Sequence, residues 1–350
     1  MASTLHCPSS AGQSINGLKK RNGRCRKQCE EPEMIQVKVT QLTREAEGIL
    51  GIELRAEDGT ALVPFEPGAH IDVHLASGLT RQYSLCNDAS ETDRYRLGVG
   101  LSATSRGGSS YLHTSLREGD LLTISEPRTL FGLSREATSH RFIAGGIGIT
   151  PILSMIRWCV RQAVPWHLHY CVRSRMCAAY LDELRAFGGK VHVHANDESA
   201  SGTPDIQTLI GDIKHGEHVY CCGPGGLMDA VSHHGQQSGI PRENLHFERF
   251  TASPVQVADG SERAFTIVLA RLGMRCAVEP SESILESLER HSVCPPFSCR
   301  EGLCRSCEVG VLSGEVEHRD YVLSEHEQRS SKSLMICVSR AKSDELVIDL

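Results

Sequence analysis

The nine residues Cys299-Arg300-Glu301-Gly302-Leu303-Cys304-Arg305-Ser306-Cys307 put three thiols on one short loop, and a fourth, Cys337, follows thirty residues later. Four thiolates that must converge on two irons need this economy. One tight turn presents three of them and a distant residue completes the set, which is the plant-type [2Fe–2S] spacing. Gly302 allows the sharp turn. Zinc ligands come more often as two short pairs than as three from one loop, and a metal-free thiol cluster leaves the spacing unexplained. Cys299, Cys304, Cys307 and Cys337 are therefore read as ligands of an iron–sulfur centre.

Working outward, strands are expected at residues 264–270 and 274–278, a helix near 283–291 opened by a Ser283-x-x-Glu286 capping box, and a last apolar strand at 334–338. Residues 251–263, rich in Ser, Pro, Asp and Gly, read as a linker. Before the linker, strands at 140–144, 166–172, 190–195, 217–222 and 244–248 alternate with helices, which argues a parallel sheet. The first of these helices is expected to have Thr150 as its N-cap and Pro151 at its first position, with Ile152, Met155, Ile156, Cys159 and Val160 on one face. From Ile35 to about Ser125 the period changes to two. Val37/Val39, Ile71/Val73/Leu75 and Tyr95/Leu97/Val99 alternate between turn signals at Gly59, Gly78 and Gly119, so roughly six short strands should form an antiparallel barrel. The fold class is multidomain: an antiparallel β-barrel at 34–135, an α/β parallel-sheet domain at 136–250, a linker at 251–263 and an α+β domain at 264–350.

Two glycine-rich turns follow strands of the α/β unit. Gly145-Gly146-Ile147-Gly148-Ile149-Thr150-Pro151 opens a helix, where bare backbone and the helix N-terminus suit a pyrophosphate. Used only for packing, the same turn would be silent about ligands. Cys221-Cys222-Gly223-Pro224 ends a later strand, and ligands in open α/β sheets sit off the carboxyl ends of strands, so two such loops imply a dinucleotide crevice. In the barrel, Arg81-Gln82-Tyr83-Ser84 offers a bidentate phosphate ligand, an aromatic ring and a hydroxyl. Ser105-Arg106-Gly107-Gly108-Ser109 offers free backbone donors ahead of a short helix at 111–116.

In this order the motifs resemble the phthalate dioxygenase reductase family, to which vanillate demethylase and carnitine monooxygenase reductases also belong. The resemblance spans residues 35–350 and is specific at 81–88, 144–151, 246–250, 313–320 and 339–350. It implies an FMN-binding barrel, an NAD(H)-binding domain and a β-grasp ferredoxin domain. Carried over by position, Arg81, Tyr83 and Ser84 would contact FMN, with Gly107, Gly108 and Ser109 near its phosphate. Thr150 would stand at the flavin–nicotinamide boundary, Gly146, Gly148, Arg173, Cys222 and Gly223 along the nicotinamide nucleotide, and Phe250 near the flavin ring. Two departures stand out. Gly100-Leu101 replaces a charged residue common in relatives, and Arg173-Ser174-Arg175 carries a second arginine that would suit a 2′-phosphate. NADH is nonetheless expected rather than NADPH.

Composition narrows the function. The net charge is −6, the longest uncharged run is interrupted by Pro151, and no apolar stretch reaches the roughly 20 residues of a membrane span. Neither a membrane nor nucleic acid is an expected partner. Fifteen cysteines in a chain too large to need disulfide staples point to a reducing compartment. Residues 1–33 are basic, and read as a disordered extension, a mis-assigned start before Met34, a transit peptide or an interaction tail. The family resemblance implies a monomer in the bacterial cytoplasm, the reductase component of a two-component Rieske-type oxygenase. No side chain is expected to be a catalytic acid or base, because the cofactors carry the electrons. The competing readings are a stand-alone flavin-dependent NAD(P)H reductase of a small molecule, and a redox sensor without turnover.

Overall fold

Alternation that begins at Ile35 folds into six antiparallel strands, β1 (Met34–Ala46), β2 (Ile49–Ala56), β3 (His70–His74), β4 (Thr80–Ser84), β5 (Tyr95–Gly100) and β6 (Leu121–Ser125). The computed structural model describes residues 34–102, 107–187, 190–199, 202–252 and 263–350. The extension at 1–33, Ser105, Arg106 and most of the expected linker lie outside the described residues. Strand order is β4-β3-β6-β1-β2-β5, and a bridge from Leu85 to Leu97, with the Cys86 N–H donating to the Arg96 carbonyl at 2.9 Å, joins the two edges into a barrel. Val37, Val39, Leu54, Ile71, Val73, Leu97 and Ile124 point inward and are buried, so the period-two pattern did set the register. Helix α1 (Gly108–Thr114) covers one end and starts three residues before the expected position, because Gly107 turns the chain at φ +91°.

Five parallel strands follow in the order β11-β10-β7-β8-β9: β7 (Ser139–Gly145), β8 (Trp166–Val172), β9 (Lys190–Ala195), β10 (Glu217–Cys222) and β11 (Leu245–Glu248). Helices α2 (Ile149–Gln162), α3 (Leu181–Ala186), α4 (Ile206–Ile210) and α5 (Gly225–Gln237) connect them. The expected cap of α2 is corrected. Gly148 occupies the N-cap and offers no side-chain bond, while Thr150 lies inside the helix with its hydroxyl donating to the Ile147 carbonyl at 3.0 Å. A glycine-rich turn leaves no side chain to cap with, and the threonine two residues later satisfies its own hydroxyl on the preceding turn.

The third sheet has the order β13-β12-β18-β14-β16, from β12 (Phe265–Leu269), β13 (Met274–Val278), β14 (Glu308–Ser313), β16 (Ser333–Met335) and β18 (Glu345–Ile348). A small pair, β15 (Val316–Glu317) and β17 (Arg340–Ala341), stands beside it. Helix α6 (Ile284–Arg290) packs beneath with Ile284, Leu285 and Leu288 buried, and its Ser283/Glu286 capping box is formed as the sequence predicts. Helix α7 (Glu325–Ser330) has a second box, Ser324 with Glu327. The strand expected at 334–338 is corrected to Ser333–Met335, and it is not the last. The chain turns at 336–338, which takes Cys337 off the ladder. Among the described residues no helix is long and apolar enough to cross a membrane.

Candidate functional site

Strand β4 carries Arg81, Tyr83 and Ser84 along the barrel edge that faces α1 and the parallel sheet. The Arg81 side chain lies across the backbone of Gly108. A Cβ there would sit 2.6 Å from Arg81 Cγ, so only glycine lets the guanidinium pass over the first turn of α1. Arg81 also donates to its neighbour's carbonyl at Thr80, 2.8 Å away. Gly107, Gly108, Ser109 and Arg81 thus form one cradle of backbone donors and positive charge, as an anionic group requires. Tyr83 is half-buried, and burial pushes its phenol up to about 12, so the ring remains a neutral surface at physiological pH. Ser84, at the strand's end, is buried, and its hydroxyl stands 3.5 Å from a carboxylate oxygen of Glu248.

The two glycine loops meet at the carboxyl ends of β7 and β10. A Cβ on Gly148 would stand 2.1 Å from the Cys222 carbonyl oxygen, and one on Gly223 would stand 2.8 Å from Gly145 Cα. Gly148 and Gly223 are therefore glycines because one loop seats on the other. Gly146 differs, since it turns at φ +53° with open space where a side chain would be. Cys222 is fully buried with its thiol in the core, so the crevice offers its backbone rather than an accessible sulfur. Thr150 Cγ2 comes within 2.6 Å of where a Cβ on Gly98 of β5 would lie, which puts this threonine on the seam between barrel and parallel sheet. Phe250, just past β11, is exposed. Arg173 is exposed at the end of β8. Arg175 is held by Glu198, with Nε at 2.6 Å and Nη2 at 3.0 Å from its two oxygens.

Glu248 escaped the sequence reading. It is the last residue of β11, half-buried, and the surrounding protein pushes its carboxyl up to about 8, well above the ordinary carboxylate range. Its position at the carboxyl end of a parallel strand was the signal that could have found it.

The four cysteines converge in the third sheet. Hydrogen bonds join their thiols in the sequence Cys304, Cys299, Cys337, Cys307. Cys299 also accepts from the backbone N–H groups of Glu301 and Leu303 at 3.3 and 3.4 Å, and these donors with the neighbouring thiols hold it well below the usual thiol range. The loop makes this possible by taking left-handed backbone at Arg300 (φ 57°), Gly302 (φ 70°) and Arg305 (φ 58°). Arg300 is anchored by Glu289 and the Phe297 ring, and Arg305 by Glu327 of α7. The buried hydroxyl of Ser298 lacks a hydrogen-bond partner within the protein, and that of Ser306 stands beside the Cys304 sulfur. Among the described residues no three His, Cys, Asp or Glu side chains are set to hold a single metal ion. Four converging cysteine sulfurs with the orphaned hydroxyl of Ser298 beside them instead fit a sulfide-bearing cluster.

Residues 267–342 match the family model of the 2Fe-2S iron-sulfur cluster binding domain, and residues 125–245 match that of the dimethylamine monooxygenase subunit DmmA-like N-terminal domain. The carnitine monooxygenase reductase subunit of Escherichia coli (strain K12) is 40% identical over 325 residues, covering 91% of this chain and 99% of that one. The crystal structure of phthalate dioxygenase reductase, described as modular for electron transfer from pyridine nucleotides to [2Fe–2S], superposes with a TM-score of 0.67 at 38% identity, covering 91% and 98%. An intact type IV self-sufficient cytochrome P450 monooxygenase superposes at 0.82 with 36% identity, and this chain spans 41% of its length. Fold and site together define an iron–sulfur flavoprotein oxidoreductase. The chain belongs to the phthalate dioxygenase reductase family.

Proposed function

We propose that this chain is the reductase component of a two-component Rieske-type oxygenase, drawing electrons from NADH through FMN and a [2Fe–2S] cluster and handing them on singly. The observation that carries the reading is the presence, on one chain, of four touching cysteines and of a crevice where barrel strand β4 and parallel strand β11 bring Ser84 and Glu248 together. When bound, a flavin converts a two-electron hydride into the single electrons that an iron–sulfur cluster accepts. Arg81 with Gly107, Gly108 and Ser109 would hold the flavin phosphate, and Tyr83 and Ser84 would lie along its ring, with Phe250 near the open side. Thr150, Gly146, Gly148, Gly223 and the Cys222 backbone would line the nicotinamide nucleotide, whose adenosine end would reach Arg173. While it keeps its proton, Glu248 would donate a hydrogen bond to an acceptor at the crevice mouth and would place no negative charge beside the ring. Cys299, Cys304, Cys307 and Cys337 would hold the cluster. NADH is favoured because Arg175 is already spanned by Glu198, whose charge would oppose a 2′-phosphate.

Anaerobic titration of the purified protein with NADH, followed by visible absorbance, tests this reading. Flavin bleaching followed by loss of iron–sulfur absorbance is expected, whereas bleaching with no iron–sulfur response would remove the cluster from the pathway. Cys304→Ser should abolish turnover coupled to an added oxygenase yet leave NADH-dependent ferricyanide reduction within about twofold of normal, because the flavin and thiol sites belong to separate sheets. Loss of both activities in a folded variant would overturn that separation.

A further inference from the structure

Glu248 and Arg249, consecutive residues at the end of β11, touch two other parts of the molecule. Glu248 meets Ser84 of the barrel. Arg249 reaches the other way, with its guanidinium carbon 5.3 Å from the ring centroid of Tyr321 in the ferredoxin domain. Tyr321 is itself tied to the thiol loop, since its backbone N–H donates to the Gly302 carbonyl at 3.1 Å. A second contact crosses the same seam, the ion pair of Arg242, just before β11, with Glu325 at the start of α7. Two of the three crossing charges also have a partner on their own side, and the third, Arg242, is exposed to solvent. Arg249 pairs with Asp229 of α5, and Glu325 pairs with Arg329 one turn along α7 at 2.7 Å. Parting the domains would therefore strand none of these charges in an apolar setting, so the seam costs little to open.

Resting on the reductase reading above, we infer that Arg249 and Arg242 are positioning residues of a reversible seam that seats the thiol loop for receiving electrons from the flavin. The cation–π contact orients the loop through Tyr321, and the Arg242–Glu325 pair fixes the rotation of α7. Release of both contacts exposes the loop for delivery to the acceptor, with Arg249 and Glu325 keeping partners on their own side and exposed Arg242 passing to water. Each seating serves one single-electron transfer from reduced flavin to oxidised cluster.

The test separates seating from the chemistry on either side. In stopped-flow reduction by NADH, Arg249→Gln and Arg242→Glu should leave the rate of flavin reduction within about twofold while slowing flavin-to-cluster transfer about tenfold. The charge swap Arg242→Glu with Glu325→Arg should restore the transfer rate, and Tyr321→Phe should retain what Tyr321→Leu loses. Small-angle scattering of the same variants should show a larger radius of gyration for Arg242→Glu and recovery in the swap, a readout that needs no turnover. Unchanged transfer rates and radii in both single variants, or a swap that rescues neither, would overturn the inference. Failure of the wild type to reduce its cluster with NADH would count against the reductase reading alone, since the radius would still report on the seam.

Discussion

Just past β8 one guanidinium, that of Arg175, is held by a carboxylate from the neighbouring loop. Arg175 taken alone is the kind of residue that grips a 2′-phosphate, and from the sequence it argued for NADPH. Glu198, twenty-three positions away just past β9, accepts from Nε and Nη2 along one edge of its fork. Sequence could not reveal that pairing, because nothing in the spacing ties two loops at the ends of neighbouring strands. Glu198→Ala should free the arginine and raise the ratio of kcat/KM for NADPH over NADH by roughly tenfold, the scale of one charge-assisted contact. An unchanged ratio would show that Arg175 lies outside the adenosine site. Glu248 was hidden for a similar reason, since its partner Ser84 is 164 residues away and a glutamate closing a short strand looks like a surface charge.

Among the elements, those with a clean period were legible and those shaped by a neighbour were not. The parallel strands and α6 follow from alternation or from a capping box, with limits within a few residues of the expected ones, whereas in the barrel β2 (Ile49–Ala56) had no pattern singled out for it and β1 runs on to Ala46, well past Val39. Strand β18 was missed because Glu345–Ile348 is too short to display a period, and β16 was drawn too long because Cys337 has to leave the ladder. The start of α2 was misjudged because Thr150 and Pro151 imitate a helix opening while the real cap, Gly148, has no side chain. That glycine carries a prediction. Gly148→Ala should destabilise the folded chain by about 1–3 kcal/mol, as overpacking against backbone does, because the Cys222 carbonyl cannot yield. Thermal melting without cofactor checks this, and an unshifted Tm would mean that the two loops are free to separate.

The parallel sheet also has a built-in acid limit. His169 stacks on His192 and His194, with its Nδ1 2.9 Å from His194 Nε2, and His218 stacks on His246. Burial, reinforced by neighbouring imidazoles, pushes His169 down to about 3 and His140 and His246 to about 4. These rings are neutral when folded and would take up protons near 6.5 when unfolded, so between those values the unfolded chain binds more protons. Stability should therefore be full above about pH 6.5 and fall as the pH drops toward 4. The Tm of the apoprotein measured from pH 7 to 5 should decline, and His169→Leu should flatten the slope. An equal slope in that variant would assign the loss to other groups.

For the whole molecule, the order of strands in the third sheet has a consequence in time rather than space. β18 runs parallel to β12 on one side and antiparallel to β14 on the other, so it joins two halves that are otherwise unconnected within the sheet. Its residues, Glu345–Ile348, come after all four cysteines in the chain. A ribosome making this protein releases the three-thiol loop well before the strand that gives it a rigid floor, and long-range pairing of this kind forms late. Iron loading would then wait for a nearly finished chain, and a nascent chain stalled between Cys337 and Glu345 would present four thiols without the strand that joins the two halves of their sheet. Truncation after Lys342 should yield a protein that keeps its flavin and emerges without iron, as metal analysis would report; full iron content would show that the loop needs no such floor. The first two sheets owe nothing to that strand, so in the cell the flavin half of this reductase is ready before its outlet exists.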